Sequence, residues 1–234
     1  MPRGFVIGDL HLFGSHSRAH RHLAGIAAAA RLVDDLVING DAVDFRWAQH
    51  PELRVTIEAA CRWLARLCHR APACQVHYVL GNHDAIAPWV HRLRAMTCHL
   101  PNLSLHETSL RLGEWLFLHG DLVLEQGCHH PTRRTLRDDP RRRRALFHMI
   151  YRLLTTSILP RIADRLPWPA ARARRFEAVL GAQAPELLRG AEHLVFAHTH
   201  APFRNHRHGP RCYHNAGSMI HGMRARPFTF LYHR

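Results

Sequence analysis

Five short apolar runs in this chain each end in a group of Asp, His or Asn side chains. They occupy residues 5–7, 36–38, 76–80, 115–118 and 194–197. Each run predicts a buried β-strand, and the segments 23–32 and 54–69 between them have the apolar pattern of helices. Strands that alternate with helices predict an α/β fold with helices covering the sheets. Loops that follow strand ends in such folds collect binding and chemical groups, so the pattern predicts one site built from five loops.

The composition is that of a globular chain, and its positive charge favours an anionic partner without identifying one. Of 234 residues, 47% are hydrophobic, the formal net charge is +14, and all 32 basic residues are Arg. A guanidinium group can bind two phosphate oxygens at once, which favours a phosphorylated substrate, an anionic membrane surface or nucleic acid. The sequence shows neither a signal peptide nor a transmembrane run, and its six cysteines lack a C-x-x-C pair. We therefore expect a cytoplasmic protein with free thiols.

The polar groups at the strand ends follow one another in a fixed order of short motifs. These are D-x-H at 9–11, G-D-x-x-D at 40–44, G-N-H-D at 81–84, H-G-D at 119–121 and H-T-H at 198–200. Such groups at the end of a buried strand are costly unless they bind something. Asp9 and His11 are two residues apart, so in extended backbone their side chains would point the same way and could share one ion. Imidazole and carboxylate ligands together suit Mn, Fe, Co, Ni or Zn.

This ordered series resembles the calcineurin-like metallophosphoesterases, a superfamily of binuclear metal hydrolases. The resemblance implies a two-sheet αβ sandwich of αββα type, as a single domain over residues 1–234. It implies one metal held by Asp9, His11 and His200, a second held by Asn82, His119 and His198, and Asp41 as the bridge between them. It also implies that His83 lies beside the substrate phosphoryl group, oriented by Asp44. Asp84 and Asp121 are expected to support the loops.

The resemblance implies a phosphoesterase with two divalent metal ions as cofactors, of which Mn is the first choice and Fe, Zn, Co or Ni the alternatives. Two such ions about 3.5 to 4 Å apart lower the pKa of a bridging water, and the resulting hydroxide would attack phosphorus in line. His83 would stabilise the developing charge or protonate the leaving oxygen. The histidines outside the motifs, among them His16, His20 and His221, are assigned no role.

Residues 125–190 differ from the rest of the chain and predict a helical cap insertion. Arg133, Arg134 and the run Arg141–Arg144 precede apolar residues at helical spacing; an ordinary amphipathic helix with a solvated Arg face is the alternative. With an insertion after H-G-D, the chain resembles the UDP-2,3-diacylglucosamine pyrophosphatases, whose cap receives acyl chains. An Arg-rich insertion would also suit peripheral contact with the inner face of the membrane. Those enzymes typically carry Arg at the position of His83.

Three alternatives to that lipid substrate remain open. A broad-specificity phosphodiesterase or phosphatase would use the same metal site without a lipid-binding cap. A nuclease acting on nucleic acid would explain the net positive charge, because basic surfaces gain affinity from phosphate contacts. A non-catalytic scaffold would lack some of the ligands, whereas this sequence carries the whole series.

Overall fold

The apolar runs form parallel strands at the centre of two sheets. The structure is a computed structural model that describes residues 1–124, 137, 150 and 168–234. The strands of the first sheet are β1 Arg3–Ile7, β2 Asp35–Asn39, β3 Gln75–Val79, β4 Leu103–His106 and β10 Phe228–Leu231. They pair in the order β10-β1-β2-β3-β4. β1 to β4 run parallel, and β10 lies antiparallel to β1 at the sheet edge, where its residues alternate between buried and exposed.

The second sheet combines parallel and antiparallel pairs. Its strands are β5 Ser109–Leu112, β6 Trp115–Leu118, β7 His193–Phe196, β8 Phe203–His208 and β9 Arg211–Asn215. They pair in the order β5-β6-β7-β9-β8. β6, β7 and β9 are parallel, while β5 and β8 run antiparallel on the two edges. β4, β5, β8 and β9 were not recognisable in the sequence, because their short runs mix apolar and polar residues.

The described helices cover the outer faces of the two sheets. They are α1 Leu23–Ala30, α2 Leu53–Arg70, α3 Ala87–His99, α4 Asp121–Leu124, α5 Trp168–Gln183 and α6 Pro185–Leu188. The helices expected around 23–32 and 54–69 are confirmed as α1 and α2. α3 was missed in the sequence because His and Arg interrupt its apolar face, although Pro88 in its first turn is a favourable start. Among the helices of the described ranges, none is long and apolar enough to cross a membrane.

Three buried layers hold the elements together. α1, α2 and α3 pack on one face of the first sheet, and on the outer face of the second pack α5, through Phe176 and Leu180, and α6, through Leu188. Between the sheets, Val37 and Val79 of the first meet Phe117 and its neighbours from the second. The layer order is therefore helix, sheet, sheet, helix, and the predicted αββα sandwich is confirmed. Burial on both faces explains why the middle of β2 is apolar and why most residues of β3 are apolar or aromatic.

A buried asparagine ties the two sheets together at the ends where the site lies. Asn39 is the last residue of β2, and its side-chain amide donates to Leu118 O and Val195 O, each at 3.2 Å. Those carbonyls belong to β6 and β7 of the other sheet. The ends of β2, β6 and β7 are thus held at a fixed separation, which brings the loops after them face to face.

The larger part of the predicted cap insertion lies outside the described residues. This includes Arg133, Arg134 and Arg141–Arg144. Arg137 is described, and its backbone pairs with the loop after G-N-H-D: Ala87 N–H donates to Arg137 O at 2.7 Å, and Arg137 N–H donates to Ala85 O at 3.2 Å. Residues 168–188 form α5 and α6, which belong to the outer helical layer of the second sheet.

Candidate active site

A first group of three polar side chains meets between the loops after β1 and β7. His11 Nε2 lies 3.3 Å from His200 Nε2 and 3.9 Å from Asp9 Oδ1. His200 Nε2 lies 3.6 Å from the same carboxylate oxygen. His11 and His200 are 189 residues apart in the chain, so only the packing of the two sheets brings them into contact. These are the three residues that the sequence analysis assigns to one metal.

A second group is arranged around the amide oxygen of Asn82. This oxygen lies 3.2 Å from His119 Nε2 and 3.1 Å from His198 Nδ1. His119 Nε2 is also 3.1 Å from Asp41 Oδ2. The four side chains come from the loops after β2, β3, β6 and β7, and the three assigned to the second metal lie together.

The carboxylate of Asp41 faces both groups. Its Oδ2 atom lies 3.1 Å from His119 Nε2 in the second group and 3.9 Å from His11 Nε2 in the first. Its Oδ1 atom accepts the backbone N–H of His83 at 2.8 Å. Burial opposes ionisation of Asp41, but the imidazoles of His119 and His83 outweigh it and hold the pKa of this carboxyl well below its usual range. Asp41 therefore lies between the two groups.

The loops that carry these side chains have left-handed backbone, and not the extended backbone expected at D-x-H. β1 ends at Ile7, and φ is 46° at Asp9 and 48° at His11. The expectation that these two side chains align because they alternate along a strand is therefore wrong, although they do meet. φ is also positive at Asp41, His198 and His200. Such conformations cost about 1 to 3 kcal/mol each and persist where surrounding contacts hold them, as they do at functional sites.

Two glycines leave the space that the polar side chains of other motifs occupy. A Cβ atom on Gly40 would lie 2.1 Å from His119 Nδ1, and the φ of +80° at Gly40 is itself unfavourable for other residues. A Cβ atom on Gly81 would lie 2.1 Å from Asp41 Oδ1. Gly40 therefore leaves room for the His119 side chain, and Gly81 leaves room for the Asp41 side chain.

Asp44 contacts two histidines with its two oxygens. Asp44 Oδ1 lies 3.0 Å from His83 Nδ1, as the sequence analysis expected, and Asp44 Oδ2 lies 3.1 Å from His11 Nδ1, which it did not. The backbone N–H groups of Arg46 and Trp47 donate to Oδ1 at 3.1 and 2.9 Å and fix the carboxylate. A carboxylate that holds the far nitrogen of a ligating histidine sets its tautomer and raises its basicity.

The pair of His83 and Asp44 is ionised at neutral pH. Burial disfavours the imidazolium, but the carboxylates of Asp44 and Asp41 outweigh this effect and raise the pKa of His83 to about 9. Burial likewise disfavours the carboxylate of Asp44, but His83 and His11 hold its pKa well below the usual range. His83 is therefore more basic than a free histidine, and at neutral pH it carries a proton that it can donate.

Asp84 joins two of the site loops through backbone and hydroxyl donors. Its Oδ1 atom accepts the N–H of Gly81 at 2.6 Å, and its Oδ2 atom accepts the N–H of Ala42 at 2.9 Å and the hydroxyl of Tyr78 at 2.7 Å. Burial and the neighbouring Asp41 carboxylate raise the pKa of Asp84 to about 7. Through these contacts Asp84 holds the two loops together, which is the role expected for it. Asp121 is buried at the start of α4.

The distances between the facing atoms fit ligands of common metal ions. Donor atoms about 2.1 Å from one ion lie roughly 3.0 to 3.4 Å apart in octahedral or tetrahedral geometry. Contacts of this length join His11 to His200, Asn82 to both of its histidines, and His119 to Asp41. The donor atoms are imidazole nitrogens and carboxylate or amide oxygens, and most of them are buried. The arrangement could therefore hold divalent cations.

An αββα sandwich with His and Asp side chains gathered at its strand ends defines a metal-dependent hydrolase. The sequence model of the family described as calcineurin-like phosphoesterase matches residues 3–216, and the chain belongs to this family. It is accordingly a metal-dependent phosphoesterase, and its substrate is phosphorylated. The comparison with curated proteins found no match.

The chain is also similar in outline to several solved structures. A dimetal phosphatase from Danio rerio matches with a TM-score of 0.47 and 12% identity over 100% of both chains. Yfce, a phosphoesterase from E. coli, matches with a TM-score of 0.39 and 15% identity over 93% of this chain and 80% of that one. A hypothetical protein from Thermus thermophilus matches with a TM-score of 0.41 and 16% identity over 92% and 76%. Similarities at this level carry no argument about the substrate or the site residues.

Proposed function

We propose that the chain hydrolyses a phosphoester or phosphoanhydride bond with two divalent cations held side by side. Asp9, His11 and His200 would hold one cation, and Asn82, His119 and His198 would hold the other. The observation that carries the proposal is the position of Asp41, whose Oδ2 atom lies 3.1 Å from a histidine of the second group and 3.9 Å from one of the first. A shared carboxylate offsets the repulsion between two cations at close range.

The cations, when bound, supply an activated water molecule and neutralise charge on the phosphoryl oxygens. His83 would act on the leaving group. Its Nδ1 atom is committed to Asp44 at 3.0 Å, which leaves Nε2 as the atom that can donate a proton to the leaving oxygen. The backbone N–H of His83 donates to Asp41 at 2.8 Å, which holds this residue against the proposed bridging carboxylate. Asp44 would position His83 and His11 together.

The experiment that tests this proposal combines metal analysis with a phosphoesterase assay. Purified protein should contain two divalent cations per chain and should hydrolyse p-nitrophenyl phosphate or its diester with Mn supplied. Chelation should abolish turnover, and Mn should restore it; Fe, Zn, Co and Ni are the cations to compare. A protein that binds no cation under these conditions and gains no activity from Mn would refute the proposal.

For the substrate, we propose UDP-2,3-diacylglucosamine or another anionic lipid or nucleotide, with a cap built from the insertion. The contact of Arg137 with Ala85 and Ala87 supports this, because it brings one residue of that segment beside the loop that carries His83. The same proposal includes contact of the Arg-rich run with a membrane surface. A panel of monoester, diester, UDP-diacylglucosamine and nucleic acid at fixed Mn tests it, and a preference for nucleic acid would favour the nuclease alternative.

A further inference from the structure

A polar pocket of about 240 Å³ lies between the loop after β1 and the loop after β9. Its charged and titratable lining consists of Arg18, Arg21, His16, His20 and His221. Ser15, Ser17 and Gln49 complete its lining, so within the described part of the chain no acidic side chain lines it. None of these histidines belongs to the five motifs at the strand ends. The donors that line the pocket are those that bind phosphate.

The walls of the pocket are fixed by hydrogen bonds between its loops. His221 N–H donates to His16 O at 2.7 Å, and Ser17 forms an antiparallel bridge with Ile220. The Gln49 side chain donates to Gly14 O at 3.1 Å. The backbone walls of the pocket are therefore in place before a ligand arrives, which reduces the entropy lost on binding.

The same loops contact the backbone of the D-x-H motif. The Ser17 hydroxyl donates to Leu10 O at 2.5 Å, and the Ser218 hydroxyl donates to Asp9 O at 3.0 Å. Met219 N–H donates to the same Asp9 carbonyl at 3.1 Å. The pocket is thus built on the backbone of the residues that carry the first group, while its lining contains none of the site side chains. It is a neighbour of the site and distinct from it.

The field in the pocket is positive. Arg18 and Arg21 are exposed at its rim, where a ligand can reach them. Burial lowers the pKa of His20, and repulsion from the charges of Arg21 and His22 lowers it further. A negatively charged ligand group in the pocket would relieve that repulsion, whereas a neutral group would not.

We propose that this pocket binds a second phosphate group of the substrate, one that is not cleaved. The inference rests on the proposed function, because it takes the reacting phosphoryl group to lie at the neighbouring His and Asp groups. The substrate class is a small molecule that carries two phosphate groups. A local pocket of about 240 Å³ favours this class over a polynucleotide, which would be followed by an extended basic groove.

Phosphonates that the protein cannot cleave provide the test. Calorimetric titration of the metal-loaded protein compares alkane-α,ω-bisphosphonates of two to six carbons with the matching alkyl monophosphonates. Linking two groups raises affinity only when the linker spans both sites, so we expect one length to bind about tenfold or more tightly than its monophosphonate. Arg18→Ala with Arg21→Ala should reduce this advantage to about threefold or less and leave monophosphonate affinity nearly unchanged.

A matched control removes the same charge elsewhere. Arg62 and Arg66 are exposed on α2, so Arg62→Ala with Arg66→Ala should keep the bisphosphonate advantage. Equal affinities for both ligand types at every length would overturn the inference, as would equal loss in both double variants. Two independent phosphonates per chain with no gain from linking would also overturn it, by making the pocket a separate anion site. Because phosphonates are not hydrolysed, failure of the activity assay would refute the proposed function without deciding this test.

Discussion

Replacing Asp44 with Asn separates the two contacts that its carboxylate makes. Asp44 accepts from His83 Nδ1 at 3.0 Å and from His11 Nδ1 at 3.1 Å. Asparagine has one oxygen and one NH₂ group, so it can accept from only one of these rings and must present a donor to the other. The backbone N–H groups of Arg46 and Trp47 point at Oδ1 and favour keeping the amide oxygen on the His83 side. We therefore expect His11 to lose its partner.

The size of the effect follows from the chemistry of such partners. A hydrogen bond to a charged group contributes about 1.5 to 3 kcal/mol, and losing the partner of a ligating histidine typically costs about 10- to 100-fold in metal affinity or activity. Asp44→Asn should therefore weaken the binding of one cation by about 10-fold or more and leave the other nearly unchanged. It should also lower the pKa of His83 from about 9, because Asp44 is the strongest of the groups that raise it.

The assay is competition between the protein and a fluorescent chelator, together with kcat on p-nitrophenyl phosphate and thermal unfolding. Asp35→Asn is the matched control. Asp35 is buried at the opposite end of β2, where it accepts from His77 Nε2 at 2.9 Å and from the Tyr232 hydroxyl. This substitution should lower the unfolding temperature without changing metal affinity.

Two outcomes would refute the shared role of Asp44. If Asp44→Asn binds both cations as tightly as the unmodified chain while kcat falls, the carboxylate serves His83 alone. If Asp35→Asn lowers the affinities for both cations as much as Asp44→Asn does, the loss reflects general destabilisation.

Three further substitutions give sharp expectations. Gly40→Ala should lose one of two cations, because the new Cβ would lie 2.1 Å from His119 Nδ1; metal analysis checks this. His83→Ala should keep both cations and lower kcat by roughly 10² or more, if His83 is the general acid. His214 is buried, and burial together with repulsion from neighbouring cationic groups lowers its pKa from 6.5 to about 3. The unfolded chain therefore binds a proton below pH 6.5 that the folded chain does not bind, and stability falls as the pH is lowered, by about 2 kcal/mol at pH 5. His214→Gln should remove that part of the slope in urea unfolding at pH 7 and pH 5.

Each of these expectations has a control variant or an outcome that would contradict it. Gly25 lies in α1 with nothing within 4 Å of an added Cβ, so Gly25→Ala should retain both cations. A full metal content in Gly40→Ala would contradict the crowding argument. Near-normal turnover of an unactivated substrate by His83→Ala would show that His83 is not the general acid. An unchanged pH slope in His214→Gln would show that other groups cause the acid loss of stability.

The central strands were predictable because burial on both faces leaves a mostly apolar run. β2 and β3 lie between helices and the other sheet, so 36–38 and 76–80 stand out in the sequence. The edge strand β8, by contrast, exposes half its residues and carries Arg, Asn and His. Its place in the sheet comes from pairing with β9, and nothing in its own composition indicates a strand. The hydrophobic pattern records burial, and it gives no signal where a strand is only partly buried.

The site residues were predictable from the order of their motifs, and their contacts were not. Nothing in the spacing of D-x-H and G-D-x-x-D indicates that one oxygen of Asp44 contacts His11, 33 residues away. The left-handed backbone at Asp9 and His11 was equally hidden, because the motif spacing is the same for an extended strand. Local sequence sets which groups are available, and their directions depend on loops held by distant parts of the chain.

By itself, the sequence determined the layered α/β class, the set of groups at the strand ends and the likeness to a family of phosphoesterases. Only the tertiary structure decided which of those groups meet. Asn39 joins the strand ends of the two sheets, and Asp41 lies between two clusters that come from loops far apart in the chain. The physical reason is that residue type fixes burial preference and donor chemistry, whereas a polar contact of about 3 Å depends on the packing of both sheets at once.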